Sequence, residues 1–421
     1  MLRKLIAMVF AAALLLTGCA APAGSAPSAR PAFVRLVSRD GKLTEQTIAP
    51  LDGNFVSGMG SFGLSAASRL YKEDENLALS PVSITLALCM ARAGAQGETK
   101  EEMTKALGLS GLTDEQITAA CKALMWRANT GGMEAANALW LLRDYEYREE
   151  YIKTCTEEYM ADIKPLAIPG AMKAVNAWAR EKTHGKIDSI LPEEPNAETR
   201  MIITNALYYL GDWERPFEAN NTYDQEFFAP AAAVTVPFMH SSWYVPYYEN
   251  DQFSMISLAF KAEEKEGKYA MAFLLPAESS SVGELLQSLD GAAFKSALDS
   301  ATDDKEVKIS LPKFEFEYFA PLNETLSALG MKRAFSPDNA DFSGITDAEK
   351  LFISKVLHKC YVRVDELGAE AAAVTSVEIT GTAMPIEEEK REFIANRPFL
   401  FAIYSLEDGA IAFVGAVNDP S

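Results

Sequence analysis

Histidine is nearly absent from this chain: three occur in 421 residues, at His184, His240 and His358. A histidine-built metal centre would need most of them together, and no HExxH spacing puts two on one helix face. No GxSxG motif occurs either, so no serine sits on a recognisable nucleophile turn. Neither an enzyme, a metal site nor a cofactor is expected. Positive charge is in deficit, 39 Lys and Arg against 59 Asp and Glu, a formal net charge of −20. That balance argues against nucleic acid and against anionic membrane surfaces as electrostatic partners. The five cysteines, Cys19, Cys89, Cys121, Cys155 and Cys360, show no CxxC spacing and no tight cluster. A disulfide framework or zinc site is unsupported, and buried free thiols are expected, with one pair left open.

What is present begins with an address. Arg3 and Lys4 precede an apolar run from Leu5 to Leu16 that is too short to span a bilayer and has the layout of an export signal. Leu16-Thr17-Gly18-Cys19 resembles the cleavage box of bacterial lipoproteins. That resemblance implies a signal peptide over 1–18, a lipid on the Cys19 sulfur, and a protein anchored at the cell surface outside the cytoplasm. Removal of Arg3 and Lys4 takes the mature charge from −20 to −22. The alternative is a secreted protein with a cysteine near its cleavage site. Residues 19–53 open on Ala, Pro, Ser and Gly without apolar period and read as a flexible tether.

From Asn54 to the C-terminus no second linker or repeat appears. Helical patterns lead, among them FGLSAASRLYKE and VSITLALCMARAGA. Ser80-Pro81 predicts a helix start, with proline where its missing N–H costs nothing. Thr99 and Glu102 have capping-box spacing. Gly58 to Gly63 matches GxGxxG but lacks the preceding strand and the later acid of a dinucleotide site, and reads as a loose, glycine-rich helix start. Strand patterns follow. Phe314, Phe316 and Tyr318 alternate with charged residues, and Glu407-Asp408-Gly409 marks a hairpin between two apolar runs. Helices first and strands later predict one mixed α/β (α+β) domain over 54–421.

Several segments, taken in order, resemble the serpins, inhibitors of serine proteases. They are NLALSPVSITLALCMARAGAQGETKEEM, VNAWAREKTHGKID, MIITNALYYLGDWERPF, LPKFEFEY, LGMKRAFSPDNADFSGI, SKVLHKCYVRVDELGAEAAAVT, NRPFLFAIY and FVGAVNDP. The resemblance covers about Asn54 to Pro420. It implies three β-sheets, eight or nine helices, and a reactive loop at about 366–390, and it implies a monomer that traps a serine protease as a covalent acyl-enzyme. Glu366, Gly368, Ala369, Glu370, Ala371, Ala372 and Ala373 would be the hinge. The family's usual spacing sets the cleaved bond at Thr382-Ala383, with Ala383-Met384 as a rival; Pro385 disfavours the next bond. Ser80, Ser83, Asn205 and His358 match the polar cluster beneath the opening sheet, and Trp213 the aromatic residue at its upper breach.

The loop residues carry a pattern of their own. Ala369, Ala371, Ala373, Thr375, Val377 and Ile379 share one face of an extended strand, and none is charged. Glu370 and Glu378 both fall on the other face. A slip of one residue would bury two carboxylates, so the register is specified. No proline interrupts Gly368 to Ile379. The small residues at the reactive bond suit a shallow protease pocket, elastase-like or subtilisin-like. The alternative is a serpin that binds without inhibiting.

Overall fold

The computed structural model describes residues 51–130, 133–143, 145–196, 199–209, 211–261, 268–369 and 390–421, all within the unit Asp40–Ser421. Helix α1 (Gly53–Leu70) starts at Asp52, whose carboxylate accepts the Asn54 N–H at 2.8 Å. Strand β1 (Leu77–Leu79) leads into α2 (Pro81–Ala93), which starts where Ser80-Pro81 predicts it. Ser80 Oγ accepts the Ser83 N–H at 3.1 Å, and Pro81 takes the first turn. Next come α3 (Gly97–Ala106), α4 (Asp114–Thr130), β2 (Met133–Leu142), α5 (Glu149–Glu157), β3 (Ala161–Leu166), α6 (Ala171–Lys182) and β4 (Met201–Tyr209). A strand-rich run follows: β5 (Gly211–Asp212), β6 (Thr222–Phe228), β7 (Ala233–Tyr244), β8 (Tyr247–Glu249), β9 (Phe253–Ala259) and β10 (Tyr269–Pro276). Then α7 (Val282–Ser288) and α8 (Gly291–Ser300) precede β11 (Glu306–Pro312), β12 (Phe314–Pro321) and α9 (Asn323–Ala328). The chain closes with β13 (Leu357–Val364), β14 (Gly368–Ala369), β15 (Arg391–Ile394), β16 (Phe399–Ser405) and β17 (Ile411–Val417).

Two local expectations are corrected. The GxGxxG stretch lies inside α1 rather than at a helix start, and its glycines serve close packing. A Cβ on Gly58 would lie 2.0 Å from the Gly108 carbonyl oxygen, and one on Gly63 would lie 2.3 Å from the Pro81 ring. Thr99 and Glu102 form no capping box, because α3 already begins at Gly97. Their side chains make tertiary bonds instead. Thr99 Oγ1 accepts the Asp341 N–H at 3.0 Å, and the Glu102 carboxylate accepts those of Lys332 and Arg333 at 2.8 and 2.7 Å. A capping box does form at Ser281 and Glu284, at the start of α7.

Hydrogen bonding sorts the described strands into five laddered groups. The six-stranded antiparallel sheet β1-β17-β16-β10-β9-β8 forms the centre. Every residue of β10, β16 and β17 is buried, which is why these segments read as unbroken apolar runs. A four-stranded sheet, β15-β11-β7-β6, is mixed, since β15 runs parallel to β11. The remaining three pieces are β3-β2-β4, β13-β12 and the two-residue ladder β5-β14. They are parts of one divided sheet, whose largest piece is buried on both faces. Met133, Ala135, Leu139 and Leu207 face the main core, while Ala138, Trp140 and Ala206 pack beneath Val175 and Trp178 of α6.

Candidate functional site

The division runs between β4 and β13. Among the described residues these strands share no ladder, and the sheet is joined across them only at the top, by β5 and β14. Below that junction lies a cavity of about 780 Å³, walled by α2, by β4 and by the segment leading into β13, with Ser83, Ile84, Leu88, Asn205, Val356 and His358 in its lining.

Beside the cavity, β13 lifts His358 and Cys360 inward by its two-residue period. His358 Nε2 accepts the Ser80 N–H at 3.0 Å, and Cys360 Sγ lies 3.0 Å from the same nitrogen. Nε2 is thus the acceptor, and the neutral ring carries its proton on Nδ1. Ser80 Oγ donates to the Ala412 carbonyl at 2.8 Å while capping α2. One residue therefore ties α2, β13 and β17 together. Burial pushes the His358 imidazole down to about 4 and the Cys360 thiol up, since neither charged form has a counter-charge there.

Of the cluster expected at this position, Ser80, Ser83 and His358 meet. Asn205 lines the same cavity but is held by another chain of bonds. Its amide donates to Asn137 Oδ1 at 2.7 Å, and Asn137 donates to the Tyr159 carbonyl at 2.7 Å. Asn205 Oδ1 is buried without a partner among the described residues.

Above the cavity stand Gly368 and Ala369, expected from the sequence to belong to the hinge. Gly368 pairs with Asp212 and Ala369 with Gly211, antiparallel. Gly368 has φ +152°, and a Cβ there would lie 2.1 Å from the Gly211 carbonyl oxygen, so only glycine permits this approach. Trp213, 2 % exposed and stacked on Phe260 with centroids 4.6 Å apart, backs the junction. Its backbone N–H donates to the Leu367 carbonyl at 2.8 Å and its indole N–H to the Asp365 carbonyl at 3.0 Å. Glu366 lies 2.8 Å from the Lys313 ammonium. Burial raises the Glu366 carboxyl, but the hydrogen bonds that it accepts and the charge of Lys313 together outweigh burial, and the net direction is down.

Sequence reasoning missed Asp365, Lys313 and Asn137. Asp365, three residues before Gly368, had an available signal, the Asx-type turn. The other two act through contacts that no local pattern announces. Glu370, Ala371, Ala372, Ala373, Thr375, Val377, Ile379, Thr382, Ala383 and Met384 lie outside the described residues, as do Cys19 and the leader. The other four cysteines are buried free thiols. Among the described residues no group of three or more His, Cys, Asp or Glu could hold a metal ion, and no helix is long and apolar enough to cross a membrane.

A divided sheet joined at one end defines a class of fold, and comparison with known proteins identifies it. The family model described as Serpin (serine protease inhibitor) matches residues 57–420. The chain belongs to the serpin family, whose members are mostly protease inhibitors rather than catalysts. It is 36% identical over 373 residues to a serpin-like protein of Thermococcus kodakarensis, covering 87% of this chain and 85% of the other. It is 32% identical over 362 residues to the leukocyte elastase inhibitor of Bos taurus, covering 82% of this chain and 93% of the other. Among solved structures, the thermophilic serpin tengpin in its native state superposes with a TM-score of 0.80 at 32% identity, over 88% of this chain and 96% of that one. Tengpin in its latent state superposes less closely, with a TM-score of 0.75.

Proposed function

We propose that this chain is a suicide-substrate inhibitor of elastase-like or subtilisin-like serine proteases, held outside the cell by a lipid on Cys19. The observation that carries the reading is the two-residue ladder of Gly368 and Ala369 on Asp212 and Gly211, standing over two strands, β4 and β13, that share no ladder among the described residues. That ladder fixes a direction and a register. Continued down β4 without a bulge, it would set Ala371 opposite Tyr209, Ala373 opposite Leu207, Thr375 opposite Asn205, Val377 opposite Ile203 and Ile379 opposite Met201. Those β4 residues face the main core, while Ala206 faces α6. The uncharged face of the loop would thus turn inward and both glutamates away, and Thr375 would bring a hydroxyl to the unpartnered Asn205 Oδ1.

On this reading the protease serine oxygen attacks the Thr382 carbonyl. An ester forms, the Thr382-Ala383 peptide bond breaks, and the new amine of Ala383 leaves with the proton that the protease transfers to it. The freed strand enters the gap, carrying the ester-linked protease with it, and no turnover follows.

Mixing the full chain with pancreatic elastase and with subtilisin tests this. A covalent adduct on a denaturing gel, with a released peptide beginning at Ala383, is the expected result. A peptide beginning at Met384 moves the bond by one residue. Cleavage without adduct, and without a rise in melting temperature, sinks the inhibitory reading in favour of a serpin that only binds. Cys19→Ser should move the protein from the membrane fraction to the soluble fraction.

A further inference from the structure

We infer that Asp365 is the positioning residue that sets the loop hinge on its inward course, a role that rests on the inhibitory reading. β13 ends at Val364 and β14 begins at Gly368, so the chain reverses within three residues. Five polar contacts of that reversal converge on Asp365. Its backbone N–H donates to the Gly368 carbonyl at 3.1 Å. Its Oδ1 accepts the N–H groups of Leu367 at 2.9 Å and Gly368 at 3.3 Å. Its Oδ2 accepts from the Arg363 guanidinium at 2.7 Å, and its carbonyl accepts the Trp213 indole N–H at 3.0 Å. Asp365 is 5% exposed, so these bonds have little competition from water.

The consequence is directional. Without the carboxylate, the N–H groups of Leu367 and Gly368 lose their acceptor inside a buried turn, and other courses of the chain become as favourable as the one down β4. Insertion is in a race with hydrolysis of the acyl-enzyme. A hinge already turned toward the gap enters sooner. A loosened hinge lets hydrolysis win more often, and the inhibitor is consumed as substrate. Arg363 orients the carboxylate and can turn instead toward Glu315, 4.0 Å away. Asp365→Asn therefore keeps an acceptor for both N–H groups while its new amide and the guanidinium move apart.

The test uses the full chain, Asp365→Ala and Asp365→Asn, with two readouts. Hydrogen–deuterium exchange of the segment 363–369 reports the turn. The ratio of cleaved inhibitor to covalent adduct with elastase reports the race. Asp365→Ala should speed exchange at Leu367 and Gly368 and raise the ratio, each about fivefold or more, with exchange in β16 and β17 unchanged. Asp365→Asn should return both to within about twofold of the parent. If Asp365→Ala does not fold, Arg363→Gln should shift both readouts the same way by about twofold. A lowered melting temperature with an unmoved ratio would overturn the inference and leave Asp365 as ordinary structure. Unchanged exchange would overturn it as well. If the parent itself gives cleavage and no adduct, the inhibitory reading fails, and the exchange arm alone then decides whether Asp365 holds the turn.

Discussion

The strands β10, β16 and β17 and the strands β4 and β13 make opposite use of the same kind of sequence. The first three are laddered to their neighbours and buried at every residue. The second two are equally strand-like, yet they face each other across a cavity and share no ladder among the described residues. One sheet is complete. In the other, β4 and β13 share no ladder among the described residues, and on the proposed mechanism one added strand would pair both edges. Stability here is distributed unevenly by design of the sequence, and the incomplete region is where function would be expected.

On the proposed mechanism, the sharpest break in that comparison is a charge on the loop face that would turn inward. Ala373→Arg should abolish covalent trapping and leave clean cleavage, because the guanidinium would enter the core opposite Leu207. The same variant should show no rise in melting temperature after cleavage. In the complete sheet, Phe401→Ala should cost about 3–5 kcal/mol. Phe401 is 1% exposed, and calorimetry should find that loss equally before and after cleavage.

Acid sharpens the comparison from within. The His358 imidazole is held down to about 4 by burial, against an ordinary value of 6.5. Between those values the unfolded chain binds a proton that the folded chain refuses. Stability should be full above pH 6.5 and fall as pH drops toward 4, by on the order of 3 kcal/mol. His358→Gln should flatten that slope in denaturant titrations at pH 7 and pH 4.5. The smallest effect is expected at the hinge rim. Glu366→Gln removes the charge facing Lys313, whose side chain is 35% exposed, and should cost about 1 kcal/mol. Because the Glu366 carboxyl is shifted down, its contribution is present at neutral pH and fades as acid protonates it.

Much of the fold was legible because its signals are local. The alternation of Phe314, Phe316 and Tyr318 became β12, Ser80-Pro81 opened α2, and Glu407-Asp408-Gly409 fell between β16 and β17. The failures are equally physical. Thr99 and Glu102 had the right spacing for a cap, but partners more than 200 residues away took their side chains. The glycines of α1 answer to Gly108, Pro81 and Gly291 rather than to each other. At the site, family resemblance put Ser80, Ser83 and His358 together; Ser80 bonds His358 across 278 residues of sequence and accepts the Ser83 N–H on its hydroxyl. The resemblance could not show that Asn205 would be held by Asn137, since that bond depends on the register of β2 on β4.

On the proposed mechanism, the three-residue reversal between Val364 and Gly368 would act on the following segment as a reading frame. One residue added there would exchange every inward position for an outward one, sending Glu370 and Glu378 toward the core on the proposed mechanism. Two added residues would restore the parity but displace Thr375 from Asn205. On the same proposal no such parity would apply beyond Thr380, so a designer could rewrite the residues around Thr382 while leaving untouched the spring that their cleavage would release.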